Sequence, residues 1–110
     1  MKEFFLGRSK EEVLRLLPER EIILLDIAHE QICVGRLGEK VFAFESLCPH
    51  RRVSLSHGML TDSREIICHL HGYRFSLETG KVILGSCAAL KIFSATLDEE
   101  GLKINFDPSM

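Results

Sequence analysis

The chain has 110 residues, the length of one ordinary domain, and 45% of them are hydrophobic, which suits a globular fold with a single core. Its formal net charge of −2 gives no indication of binding to nucleic acid or to a membrane surface. Apolar runs such as Ile22–Leu25 are far too short to span a bilayer. The first residues form an apolar patch without the pattern of a secretory signal, so we expect a soluble, cytoplasmic, monomeric protein.

The first predicted element is a short helix near the start of the chain. Ser9 and Glu12 have the spacing of a capping box, in which Ser9 caps the helix and Glu12 reaches back to its first turn. Pro18 ends the segment after about two turns. The apolar side chains of this segment fall on one helical face: Val13, Leu14 and Leu17.

Short strands separated by turn signals follow the helix. Apolar and β-branched runs predict strands at residues 21–27, 31–37, 41–44, 65–67, 73–77, 81–84, 93–97 and 102–106. Turn signals lie between them at 28–30, 38–40, 78–80 and 98–101. Such a pattern predicts an all-β fold, either an antiparallel β-sandwich or a small barrel, with a short polar tail at 107–110.

The four cysteines lie in a chain without the features of a secreted disulfide framework, so burial or metal binding are the two interpretations for their thiols. The distribution of histidine favours metal binding. Four of the five histidines lie close to two of the cysteines, within residues 48–71. The stretch at about 47–85 stands apart from the rest of the chain in this respect, and we predict that it is an inserted subdomain.

Two short arms carry the candidate ligands, Cys48-Pro49-His50-Arg51 and Cys68-His69-Leu70-His71-Gly72, with 17 residues between His50 and Cys68. In an ordinary zinc finger the cysteines form one pair along the chain and the histidines another. Here each arm offers one thiolate and one imidazole. This mixture suits a centre with two iron ions, in which one iron takes a cysteine from each arm and the other takes a histidine from each arm.

The pattern C-x-H, 17 residues, C-x-x-H and then glycine resembles the signature of Rieske proteins. The His71-Gly72-x-x-Phe75 continuation and the Glu78-Thr79-Gly80 turn are also similar to those of stand-alone Rieske ferredoxins, and the likeness covers Val41 to Leu84. It implies a Rieske-like antiparallel β-sandwich with a cluster-binding subdomain inserted at about 47–85. It also implies one [2Fe–2S] cluster, for which the expected ligands are Cys48, His50, Cys68 and His71.

The other cysteines and histidines of the chain have different interpretations. Cys33 lies in the middle of a predicted strand and is expected to be a small buried hydrophobe. Cys87 is either a similar filler, which we favour, or a thiol near the cluster. It follows Gly85-Ser86, where the family usually has a proline-containing loop over the cluster. His57 and His69 do not have ligand spacing, and His69 is expected to point away or toward solvent.

Three positions separate this chain from the high-potential Rieske proteins of respiratory complexes. Those proteins have a disulfide between the arms and a serine two residues after the second histidine ligand. The matching positions here are Val53, Leu70 and Tyr73. The resemblance therefore implies a disulfide-free centre with a potential near the lower end of the class range of about −150 to +300 mV.

These features predict a one-electron carrier that is not an enzyme on its own, with a reductase as donor and an oxygenase or other oxidoreductase as acceptor. Electrons are expected to pass by the exposed histidine edges. Residues 46–75 carry a net charge of +2, which would favour an acidic patch on the partner, although it could equally be an ordinary solvated surface. The alternatives are a non-catalytic subunit of a larger reductase, similar to nitrite-reductase small subunits, and a structural zinc module.

Overall fold

The computed structural model describes residues 2–27 and 29–106, which form ten strands, one α-helix and one 3₁₀ turn. The predicted all-β fold with antiparallel sheets and one short helix is confirmed. No helix in this part of the chain has the length and apolarity needed to cross a membrane. The elements in chain order are β1 (Lys2–Leu6), α1 (Lys10–Leu16), β2 (Ile22–Ile27), β3 (Glu30–Leu37), β4 (Lys40–Glu45), the 3₁₀ turn (Leu55–His57), β5 (Met59–Leu60), β6 (Glu65–Ile67), β7 (Arg74–Ser76), β8 (Val82–Leu84), β9 (Ile92–Asp98) and β10 (Gly101–Phe106).

The strands form two antiparallel sheets. The larger sheet has the order β1-β10-β9-β4-β3-β2, and the smaller one has the order β5-β6-β7-β8. The chain leaves the large sheet after β4, builds the small sheet, and returns to pair β9 with β4 through Ala43 and Phe93. The small sheet thus lies within the interval 47–85, for which the subdomain boundaries stay a prediction.

The helix begins as its capping pattern predicts, with one difference. The Glu12 backbone N–H donates to the Ser9 hydroxyl oxygen at 3.1 Å, but the Glu12 carboxylate accepts from the Arg8 N–H at 2.8 Å. The box therefore closes one residue earlier than expected. Val13 and Leu17 are fully buried and Leu14 is half-buried, so the predicted apolar face packs into the core.

Strands β3 and β4 are buried on both faces, and this places a layer of apolar side chains under the candidate site. Alternate residues face the core on the helix side, namely Ile32, Val34, Val41 and Ala43. The residues between them face the core beneath the small sheet, namely Cys33, Phe42 and Phe44. At Gly35, an added Cβ would lie 2.7 Å from a methyl carbon of Leu60 in β5, so the lack of a side chain lets the small sheet pack against β3.

Several elements differ from the sequence prediction. Strand β1 was considered only as an apolar patch, yet it forms an edge of the large sheet in register with β10, from Lys2 opposite Phe106 to Leu6 opposite Leu102. The 3₁₀ turn and the two-residue strand β5 were also missed, because they are too short to show a periodicity. Ala28 of the first predicted turn and the tail 107–110 lie outside the described residues.

Gly80, in the turn between β7 and β8, contacts the segment that returns to the large sheet. Its carbonyl accepts from the Leu90 N–H and its own N–H donates to the Ser76 carbonyl, both at 2.8 Å. Gly80 has φ +81°, and an added Cβ would lie only 1.9 Å from the Leu90 carbonyl oxygen. The two backbones therefore meet at a point where only glycine fits.

Substituting Gly80→Ala should lower the free energy of unfolding by about 2–4 kcal/mol, because overpacking against a backbone atom adds to the strain of a left-handed residue. Gly38→Ala is the matched control: Gly38 has φ +63° with nothing within 4 Å of an added Cβ, so it should cost only about 1 kcal/mol. Denaturant unfolding of both variants at equal iron content measures the difference. Equal losses would contradict the contact described at Leu90.

Candidate metal centre

The two arms that carry the candidate ligands are closed in the same way. The Cys48 N–H donates to the Val53 carbonyl at 2.8 Å, and the Cys68 N–H donates to the Tyr73 carbonyl at 2.7 Å. In each arm the cysteine therefore lies at the base of a six-residue loop, and the histidine follows within the loop. The first arm connects β4 to the 3₁₀ turn, and the second connects β6 to β7.

Residues with left-handed backbone conformation turn the chain directly before the residue that closes each loop. Arg52 has φ +59° in the first arm, and His71 and Gly72 have φ +66° and +68° in the second. The conformation costs a non-glycine residue about 1–2 kcal/mol, although histidine is found there more often than most residue types. Such strain is common at functional sites, where the surrounding structure holds it in place. Here the hydrogen bonds from the two cysteine amides do so.

The two cysteines of the arms form a buried pair. Cys48 and Cys68 are both fully buried and lie in the same core cluster beneath the small sheet. Burial raises the pKa of the Cys68 thiol, and the neighbouring Cys48 thiol adds to this. The Leu70 backbone N–H acts in the opposite direction and lowers the pKa of Cys68, since it favours the thiolate.

The two histidines of the arms form a second pair nearer to the surface. Their ring centroids are 5.3 Å apart and their planes make an angle of 61°. His71 is exposed and His50 is half-buried. Burial lowers the pKa of His50, and the positive charges of His71 and Arg51 lower it further. His50 is thereby favoured in the neutral form, which is the form that binds a metal ion.

The side chains of the two pairs fit a cluster with two irons. The His50 Nδ1 is buried and has no hydrogen-bond partner among the described residues, and coordination of iron would use its lone pair instead. Within residues 2–27 and 29–106, no group of three or more His, Cys, Asp or Glu side chains is placed to hold one metal ion. The candidate ligands are instead two thiols and two imidazoles, and a Rieske centre takes two protein ligands at each iron.

The other histidines and cysteines lie where their sequence context suggested, with one exception. His57 and His69 are exposed and contact each other edge to face, with centroids 5.7 Å apart, so the His69 ring packs with a ring outside the candidate set. Cys33 is fully buried in β3, and burial raises its pKa to about 12. Cys87 is half-buried and packs against the core cluster that contains Cys48 and Cys68, and its pKa is raised by burial and by Cys48. The structure thus favours the second alternative for Cys87, a thiol beside the site.

Three positions that distinguish this chain from high-potential Rieske proteins also surround the site. Val53 and Leu70 are half-buried and pack against the core beneath the small sheet, and all four cysteines are free. The Tyr73 ring stacks on the His50 imidazole, with centroids 3.7 Å apart and planes 10° from parallel. From the sequence, Tyr73 was noted only because it stands where high-potential Rieske proteins have a serine. The aromatic side chain directly after His71-Gly72 was the signal that this residue could contact a ligand.

Ion pairs account for most of the charges around the arms. Arg64 lies 3.4 Å from Glu78 and Arg74 lies 3.5 Å from Glu65. Asp62 pairs with Arg20 of the large-sheet region. Arg51 and Arg52 of the first arm are both exposed and make no ion pair within the part of the chain that the structure describes. The exposed basic patch therefore consists of these two arginines, of which Arg51 acts on His50 and Arg52 lines a groove with Glu30 and Glu45.

Comparison with known proteins agrees with this geometry. A family model described as the Rieske [2Fe-2S] domain matches residues 10–94. The ferredoxin component of an alkene monooxygenase system from Xanthobacter autotrophicus is 27% identical over 88 residues, covering 80% of this chain and 72% of that relative. A 3-phenylpropionate/cinnamic acid dioxygenase ferredoxin subunit from Escherichia coli is 33% identical over 67 residues, covering 61% of this chain and 62% of that protein. The chain thus spans roughly two thirds of the length of these relatives.

Solved structures share the fold. The ferredoxin of carbazole 1,9a-dioxygenase from Nocardioides aromaticivorans superposes with a TM-score of 0.80 at 24% identity, over 94% of this chain and 97% of that one. A protein described as an NADH-dependent nitrite reductase small subunit from Mycobacterium tuberculosis gives a TM-score of 0.76 at 15% identity, over 94% and 96%. The family match covers far more than half of the sequence and includes both arms. The chain therefore belongs to the Rieske [2Fe–2S] domain family, and its cofactor is a Rieske-type [2Fe–2S] cluster.

Proposed function

We propose that this chain is a ferredoxin: it carries one electron at a time from a reductase to an oxygenase or another oxidoreductase, and it is not an enzyme on its own. The observation that carries the proposal is the pairing of a buried thiol pair, Cys48 and Cys68, with a surface imidazole pair, His50 and His71. The relatives matched by sequence, which are named as ferredoxin components of oxygenase systems, support the same function.

The four side chains of the arms are the proposed ligands. Cys48 and Cys68 would bind one iron, and His50 and His71 would bind the other. A bound cluster supplies the one-electron redox couple. The apolar core around the cysteines keeps water from the thiolate side, while His71 keeps an imidazole edge at the surface, where a partner protein can approach.

The compartment, the oligomeric state and the partners of the protein are proposed from the same features. Cys33 and Cys87, which are not proposed ligands, form no disulfide, and this supports a reducing compartment such as the cytoplasm. We also expect a monomer. Partner proteins, rather than nucleic acid or a membrane, are proposed to bind at the surface that carries the histidines.

A second candidate, a non-catalytic subunit of a larger reductase, is supported by the shared fold with the nitrite reductase small subunit. Co-purification with a reductase chain from the native host would favour that candidate over a free carrier.

Anaerobically purified protein should contain about two irons and two acid-labile sulfides per chain, because the cluster has that composition. Reduction with dithionite should give a rhombic EPR signal. Protein-film voltammetry should give a potential near the lower end of the range of about −150 to +300 mV, since Val53, Leu70 and Tyr73 provide neither an inter-arm disulfide nor the serine hydroxyl. A colourless protein with one zinc and no sulfide would show that the site is a structural zinc module.

The histidine assignment is tested by exchanging one ligand. His71→Cys should lower the potential and move the EPR spectrum toward that of an all-thiolate cluster, because a third thiolate ligand stabilises the oxidised form of the cluster. His69→Ala is the control, since the His69 ring packs with His57, and it should leave both properties unchanged. The assignment is wrong if His71→Ala retains the wild-type spectrum while His69→Ala loses it.

The two unpaired arginines should steer charged partners toward the histidines. Reduced protein can be mixed in a stopped-flow instrument with hexacyanoferrate(III), a trianion, or with hexaammineruthenium(III), a trication. In the double variant Arg51→Gln/Arg52→Gln, the rate with the trianion at low salt should fall roughly tenfold and the rate with the trication should rise. Arg64→Gln, which removes a residue paired with Glu78, should change both rates little. A double variant with unaltered rates would show that this patch is ordinary solvated surface.

A further inference from the structure

Tyr73 lies at a junction of three segments around the proposed cluster site. Its carbonyl accepts the Cys68 N–H that closes the second arm. Its ring stacks on the His50 imidazole of the first arm at 3.7 Å. Neither the ligand assignment nor the electron-transfer function accounts for this stacking.

Gly85, in the segment after β8, forms the third part of the junction. A Cβ added at Gly85 would lie 2.3 Å from Cδ2 and 2.5 Å from Cε2 of the Tyr73 ring, so the backbone there touches the ring directly. Gly85 has φ +121°, a conformation that only glycine adopts readily. The same segment continues to Cys87, whose side chain packs against the buried cluster that contains Cys48 and Cys68. The ring of Tyr73 therefore connects the first arm to the segment that packs next to the cysteine pair.

The stacking restrains a ring that the backbone alone would leave free to turn. The χ2 torsion of histidine has broad, shallow minima, so an imidazole without a neighbour samples a range of plane angles. Metal-binding histidines are normally oriented by a hydrogen bond to the ring nitrogen that is not bound to the metal. No side-chain hydrogen bond of the described residues involves His50. Its ring meets the edge of His71 with centroids 5.3 Å apart and the parallel face of Tyr73 at 3.7 Å, and the closer, parallel contact restrains its plane.

We propose that Tyr73 is a positioning residue, whose ring fixes the plane of the His50 ligand and holds the segment from Gly85 to Cys87 over the site. This inference rests on the proposed ligand function of His50. The contact uses the ring rather than the hydroxyl group, and it requires glycine at position 85. Where high-potential Rieske proteins have a serine, this chain thus has an aromatic ring that supports one imidazole.

Two kinds of variant separate this role from a merely structural one. Tyr73→Met keeps an apolar side chain but removes the planar ring, whereas Tyr73→Phe keeps the ring. Gly85→Ala keeps tyrosine at position 73 but adds a Cβ that must displace the tyrosine ring. Gly38→Ala, a left-handed glycine in open space far from the arms in sequence, controls for backbone strain.

The readouts are the ¹⁴N couplings of the two histidine ligands in pulsed EPR of the reduced protein and the potential from protein-film voltammetry. In Tyr73→Met and Gly85→Ala, one of the two histidine couplings should change while the other stays at its wild-type value. The potential should rise, because water reaches the site and stabilises the more negatively charged reduced form. Tyr73→Phe and Gly38→Ala should match the wild type in both measurements.

The outcomes distinguish this proposal from the proposed function. Wild-type protein without histidine couplings would remove the ligand assignment itself. Wild-type protein with two couplings, together with unchanged couplings and potential in Tyr73→Met, would overturn the positioning role and leave the electron-carrier function intact. If Tyr73→Met does not load the cluster, Gly85→Ala decides: a change in one coupling supports the proposal, and wild-type values refute it.

Discussion

The hydrogen bonds from the cysteine amides at the base of each arm are the constraint on which the rest of the site depends. Cys48 to Val53 and Cys68 to Tyr73 are the same interaction, made over the same number of residues. Each bond fixes a thiol at the buried end of its loop and leaves the histidine two or three residues further toward the surface. Because two loops of the same size lie side by side, their cysteines lie in one core cluster and their imidazoles meet. The segregation into a cysteine pair and a histidine pair is a consequence of this repeated geometry.

The large sheet packs beneath the arms and supports them. Strands β3 and β4 are buried on both faces, so the side chains of Phe42 and Phe44 form a dense apolar surface below the cysteine pair. Packing of Leu60 against Gly35 holds the small sheet on this base. A charged or polar centre in such surroundings interacts strongly with the few dipoles that reach it, and the Leu70 N–H, which lowers the pKa of Cys68, is one of them. The fold thus sets both the position and the polarity of the site.

The electrostatics differ between the two ends of the arms. At the buried end, uncharged apolar residues surround the thiols, including Val53 and Leu70, where a disulfide would link the arms of high-potential Rieske proteins. At the surface end, Arg51 adds positive charge that helps to keep His50 neutral, and both Arg51 and Arg52 are exposed and available to a partner. Other arginines near the arms are engaged in ion pairs across the small sheet. The exposed charge of the site is therefore concentrated in the first arm.

The sequence alone determined the family, the two arms and the succession of short strands, because ligand spacing and period-two alternation are local properties of the chain. It also located the helix, since a capping serine and an apolar stripe act within one turn. Three features depended on contacts between distant residues: the pairing of β1 at the edge of the sheet, the burial of β3 and β4 on both faces, and the packing of Cys87 against the core around Cys48. The stacking of Tyr73 on His50, against Gly85, was likewise decided only by the tertiary structure: it joins three segments that no local pattern connects.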